Sequence, residues 1–298
     1  MKNYIGYLQI LAAATLWGLL GPISKYGLQD GITPHELAFW RAGLGAVFFL
    51  LHSAKHGTLA VQRKDIPVFL VFGVMGISIF FGSYQIAIKH AGAAVSAILL
   101  YTAPIWVAIF SRILFNELLS PAKLTALGIA LFGTGLVCFS GQGTDVSLPL
   151  TGIFFGLLSG FTYSLHFIFG KTFLKNYAPA TLYAWCLPAG ALGLLPWVTF
   201  SAYSHAKLIV IVALAFLCTY LAYYAYCAGL KRLEATQAAI IANIEPVIAA
   251  AIAVLWWNEQ LTASAYLGGA MVISAVIIIA RIPSKTKKSA LSAAKNSV

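Results

Sequence analysis

Long apolar runs separated by short polar links fill this chain. Set against the breaks, the runs predict ten helices near residues 4–26, 36–53, 66–89, 93–112, 121–140, 151–171, 179–200, 206–230, 235–257 and 263–281. Many runs reach roughly 20 residues, the length a helix needs to cross a hydrocarbon core of about 30 Å at 1.5 Å per residue. The links leave no room for a soluble domain, so any chemistry is expected inside the bundle. The first run is longer than the apolar core of a signal peptide and is expected to remain as the first span.

Composition agrees with the pattern. Of 298 residues 60% are hydrophobic and 9% charged, whereas a soluble domain carries about a quarter charged residues. The net charge of +11 does not mark a nucleic-acid footprint, because the basic residues sit in short tracts between apolar runs and after the last one. With the N-terminus in the cytoplasm, 15 of the 19 basic residues fall on the inner side, leaving Lys25, Arg41, Lys89 and Lys207 outside. That bias predicts a multi-pass inner-membrane protein with both termini cytoplasmic, which requires an even number of spans. Cys138, Cys186, Cys218 and Cys227 lack CxxC spacing and are expected to pack, with no disulfide or metal role.

The chain also repeats itself. A shift of 142 residues pairs Tyr84 with Tyr226, Lys89 with Lys231, Pro104 with Pro246, and Asn116-Glu117 with Asn258-Glu259. A shift of 145 pairs Pro34, Leu37 and Trp40 with Pro179, Leu182 and Trp185. The expectation is an all-α polytopic protein of two five-helix units, 1–145 and 146–282, followed by a basic cytoplasmic tail, 283–298. Five is odd, so the second unit is inverted, and two inverted copies can open a shared central cavity alternately to each side.

Polar and aromatic residues near mid-span carry the candidate chemistry, since a polar group in hydrocarbon is costly without a partner or a wet cavity. These are Trp17, Tyr101, Tyr163, His166, Asn243 and Glu245, with Tyr84 nearer the outer face. Glu245 is the sharpest: beside the kink expected at Pro246, it either binds an ammonium or a coupling proton, or bonds a neighbouring helix. Pro104 stands at the equivalent place with Ala103 where span 9 has the acid, and Pro22 follows Trp17 by about one turn; these prolines are read as hinges or packing devices. Trp17, Tyr101 and Tyr163 offer rings for stacking or for core packing. His166 is either a proton relay or a hydrogen-bonded core residue. Lys25 and Arg41 either reach the interface or attract an anion at the cavity mouth. Glu117 and Glu259 are expected to anchor span ends, Trp256 and Trp257 to sit in the interfacial belt, and the small residues Gly128, Gly133, Gly135, Gly268, Gly269 and Ala270 to let span 5 approach span 10.

Leu16-Trp17-Gly18 with Lys25, Phe39-Trp40-Arg41, Tyr101-Thr102-Ala103-Pro104 with Asn116-Glu117, and Glu245-Pro246 with Asn258-Glu259-Gln260-Leu261 resemble the EamA family of the drug/metabolite transporter superfamily. The resemblance spans nearly the whole chain and is greatest to the YddG-type aromatic and neutral amino-acid exporters. It implies ten spans, cytoplasmic termini and a central substrate cavity. The expected function is a secondary carrier, with no cofactor, exporting a small neutral or zwitterionic metabolite such as an amino acid, with protons as the candidate coupling ion. The alternatives are a carrier for another metabolite or drug, a channel, or a membrane-embedded enzyme. The enzyme needs paired catalytic groups that the spans do not offer, and a phosphate-bearing substrate needs more mid-span cations.

Overall fold

The computed structural model describes residues 4–139, 149–202, 204–258 and 260–282. Glu259, the segment 140–148 and the basic tail lie outside these residues. Among the described residues eight helices are long and apolar enough to cross a membrane, one of them 50 residues long, Ile66–Phe115. Gly92, with φ 79° and ψ 164°, divides that helix into spans 3 and 4; a Cβ strains this left-handed backbone and glycine does not. Pro179–Leu194, of 16 residues, is span 7. The ten spans are therefore Tyr4–Gln29, Pro34–Lys55, 66–91, 93–115, Pro121–Cys138, Leu150–Phe173, Pro179–Leu194, His205–Leu230, Ala235–Trp257 and Ala263–Arg281. Span 7 ends earlier than its apolar run because Leu195–Trp197, with Pro196, turns as a 3-10 helix.

Local features recur at the 142-residue shift. Asn116 and Asn258 both end helices at φ 52°, a left-handed cap that asparagine tolerates. Four residues later Ser120 and Thr262 cap the next helices by accepting the Lys123 and Ala265 amides. Spans 3 and 8 each contain a π-helical stretch, Val74–Ile79 and Leu214–Leu221, ending at equivalent positions.

The Tyr7 hydroxyl donates to the Ile282 carbonyl at 3.5 Å, so the first and last spans present their outer ends to one face, here termed the terminal face. Spans 5 and 10 cross at Gly133 and Gly268, where a Cβ on Gly268 would lie 2.4 Å from the Gly133 carbonyl oxygen. The small-residue contact is thus made within one chain, at this pair alone; Gly128 and Gly135 face open space.

On the terminal face the two halves are tied together. Glu117, after span 4, accepts the Ala235 amide at 2.7 Å, the Thr236 amide at 3.2 Å and the Thr236 hydroxyl at 2.8 Å, capping the start of span 9. Lys123 of span 5 pairs with Glu234, and Lys171 of span 6 donates to the carbonyls of Leu230 and Leu233. Every residue from 233 to 243 is buried, whereas only four of the eleven equivalent residues 91–101 are, and Gly92 and Ala93 are exposed. Beside this network the Tyr177 hydroxyl donates to Asp65 Oδ2 at 2.6 Å, which raises the phenol's pKa.

Candidate functional site

Three spans are broken at mid-depth, each just before a proline that cannot donate an amide hydrogen. Span 1 breaks between Gly18 and Leu20, ahead of Pro22. Span 4 breaks at Tyr101-Thr102 ahead of Pro104, and span 9 at Asn243-Ile244 ahead of Pro246. The breaks in spans 4 and 9 meet: Asn243 Nδ2 donates to the Tyr101 carbonyl across a long 3.5 Å contact. A carbonyl released by one kink is thereby met by the residue 142 positions away.

Glu245 opens the second half of span 9 as its first helical residue. The partly positive end of that half-helix favours a carboxylate there. The Tyr101 hydroxyl and the Arg41 guanidinium lie within electrostatic range of it. Tyr84 and Tyr163 also lie within range of the Glu245 charge, with Tyr84 beside Tyr101.

An aromatic wall adjoins this acid. Trp17 is buried with ring centroids 6.4 Å from Tyr163, 5.8 Å from Tyr223 and 5.6 Å from Tyr226. Tyr163 stacks on Phe80 at 5.3 Å. His166, one turn along span 6, stacks on Tyr223 at 5.5 Å. Its Nε2 lies 2.7 Å from the carbonyl oxygen of Gly76, inside the π stretch of span 3. A carbonyl only accepts, so Nε2 carries the hydrogen and Nδ1 is left to accept from the Tyr183 hydroxyl at 3.4 Å. Both ring nitrogens of His166 are thus engaged in tying span 6 to spans 3 and 7.

Trp17, Tyr84, Tyr101, Tyr163, Asn243 and Glu245 are brought into one neighbourhood, with His166 at its edge. Arg41 does not reach out to an interface: it is buried, donating from Nε to Thr219 Oγ1 at 3.2 Å with its guanidinium 4.9 Å above the Phe81 ring. Its acceptor lies in the π stretch of span 8, a feature that apolar periodicity does not encode. Tyr223 and Tyr226 were also missed, although the repeat pairing of Tyr226 with Tyr84 pointed to span 8. Trp257 packs on Tyr26 at 4.6 Å, with the Lys25 ammonium 4.2 Å over its ring, and Trp256 is half exposed.

Ten apolar helical spans, three of them broken near mid-length, make this a polytopic membrane protein by class. The EamA-like transporter family matches residues 4–139 and again residues 150–281, and the chain belongs to that family. It is a transporter and not an enzyme. Similar proteins include the uncharacterized transporter YdfC of Bacillus subtilis (strain 168), 28% identical over 88% of this chain and 86% of its own length. The uncharacterized inner membrane transporter YicL of Salmonella typhimurium (strain LT2) is 27% identical over 92% of this chain and 94% of its own. A solved crystal structure shares the fold with a TM-score of 0.81, at 19% identity, covering 93% of this chain and 96% of that one.

Proposed function

We propose that the protein is a secondary carrier of the inner membrane that exports small neutral or zwitterionic metabolites, amino acids including aromatic ones, by alternating access. The observation that carries this reading is the position of Glu245: a carboxylate at the break of span 9, in reach of the Tyr101 hydroxyl and beside the wall of Trp17 and Tyr163. A carboxylate at this depth suits an ammonium, and the rings suit an apolar or aromatic side chain. The units 1–145 and 146–282 act as the two moving halves, with the terminal face cytoplasmic and the tail 283–298 following the charge bias.

The burial asymmetry supports one state of the cycle. Capped and wholly buried at 233–243, but with only four of eleven residues buried at 91–101, the two halves occupy unlike states, closed toward the cytoplasm and open outward. Exchange of these states between the halves is the transport step.

Glu245→Gln tests the reading, because it keeps the shape of the side chain and removes its charge. The variant is expected to insert and fold while losing most efflux of neutral amino acids from proteoliposomes. Full wild-type flux in Glu245→Gln makes the acid structural.

A further inference from the structure

The substrate's ammonium has a partner in Glu245, and its carboxylate needs one. Asn243, the neutral donor nearest in the chain, has its amide turned to the Tyr101 carbonyl. Arg41 is different. It is 8% exposed, one of its five donor hydrogens is used by Thr219, and no acceptor among the described residues takes the four on its terminal nitrogens. Among the described residues no ion pair joins it to Glu245. Phe81, under the guanidinium, meets Phe80 at 5.0 Å, and Phe80 stacks on Tyr163 at 5.3 Å, so the cation borders the same aromatic wall that adjoins Glu245. A buried unpaired charge is costly and persists where something compensates it.

We propose that Arg41 is the substrate-carboxylate anchor of this carrier, its free guanidinium fork binding the α-carboxylate of an amino acid whose ammonium rests on Glu245. The inference rests on the amino-acid reading above and sharpens it: a free carboxylate becomes a requirement. Thr219 and the Phe81 ring hold the guanidinium in one orientation, leaving the edge formed by the two terminal nitrogens to meet the two carboxylate oxygens in parallel hydrogen bonds. A bound zwitterion completes both protein charges at once, whereas a primary amine or an amino amide leaves Arg41 unsatisfied. The same arrangement disfavours dicarboxylates, whose second negative charge has no cation to meet.

The test uses proteoliposomes of the full chain with phenylalanine, phenylalaninamide and phenethylamine as probes. Wild type is expected to move phenylalanine with a KM at least about tenfold below those of the two probes lacking the carboxylate. Arg41→Gln should raise the KM for phenylalanine by a similar factor and leave the two amines unchanged. Arg41→Lys, which keeps charge and loses the fork, should fall between. Thermal unfolding of each variant reports folding, and the wild-type probe series stands even if Arg41→Gln does not fold. Equal wild-type transport of phenylalanine and phenylalaninamide overturns the assignment of Arg41 alone. Absence of flux for phenylalanine, leucine and alanine in wild type overturns the amino-acid reading and this inference with it.

Discussion

Glu117 and Ala235, 118 residues apart, are joined by a 2.7 Å hydrogen bond from the Ala235 amide to the Glu117 carboxylate. The same carboxylate takes the Thr236 amide and hydroxyl, so the orphan donors at the start of span 9 are satisfied from the end of span 4. This contact crosses from one repeat to the other. Under the alternating access proposed above, opening the terminal face requires these bonds to break, and Glu117 then acts as a latch whose strength sets the balance between the two states.

Glu117→Ala should therefore favour the state open at the terminal face. Loss of a side-chain cap costs about 1 kcal/mol, roughly a five-fold change in a two-state equilibrium. In a background without native cysteines, Ala239→Cys, buried behind the latch, should react several-fold faster with an impermeant maleimide applied to inside-out vesicles. Unchanged labelling would mean that the latch is not what closes this face.

Lys123 and Glu234 form a buried pair beside that latch, with side chains 4% and 7% exposed. Lys123→Met removes the ammonium paired with the buried carboxylate and should destabilise the protein by about 3–5 kcal/mol. The double variant Lys123→Met with Glu234→Leu should recover much of that loss, because removing both charges also removes their desolvation cost. Thermal unfolding in detergent distinguishes the outcomes; a double variant no more stable than the single one contradicts the argument.

The crossing of spans 5 and 10 is a sharper steric test. A methyl group at Gly268 meets the Gly133 carbonyl oxygen at 2.4 Å and one at Gly133 meets the Gly268 oxygen at 2.7 Å, and backbone cannot step aside as a flexible side chain can. Gly268→Ala and Gly133→Ala should each cost about 1–3 kcal/mol or more and lower the yield of folded protein. Gly128→Ala and Gly135→Ala face open space and should be silent. Equal tolerance at all four positions would remove the crossing as a packing determinant.

The spans were legible because apolar length and polar breaks are local properties, and even the split at Gly92 showed as a short break in the run. The paired kinks were legible through Pro104 and Pro246 at one shift. The π stretches were not, since winding by one extra residue changes hydrogen bonding and leaves composition untouched. Two site contacts hang on them: Gly76 presents its carbonyl to His166 and Thr219 its hydroxyl to Arg41. For Arg41 the position in the span left two readings, a side chain reaching the interface or one attracting an anion at the cavity mouth, and an acceptor across the bundle holds it inside, which removes the first. Asn243 is a polar residue near the middle of its span, but the use of its amide depends on Tyr101, 142 residues away, and no spacing rule states it.

Trp17 brings fold and specificity to one ring. Its indole meets Tyr163, Tyr223 and Tyr226 at 6.4, 5.8 and 5.6 Å, and the adjoining Gly18 lies so close to span 9 that a Cβ there would sit 2.8 Å from Ile248. The ring therefore packs between the two halves one residue before the break in span 1. Removing it costs packing whatever the substrate, about 3–5 kcal/mol for a buried tryptophan, so loss of activity alone says nothing about binding. The ratio between substrates does. If the indole also receives the substrate's side chain, Trp17→Ala should raise the KM for phenylalanine and tryptophan several-fold more than that for alanine, because only the large side chains lose a stacking surface. Trp17→Phe, which keeps an aromatic face, should restore the ratio before it restores full stability. Measuring KM for alanine, leucine, phenylalanine and tryptophan in both variants, alongside thermal unfolding, separates the two contributions. A uniform rise across all four amino acids would assign Trp17 to the fold and move the aromatic contact to Tyr163 and Tyr223.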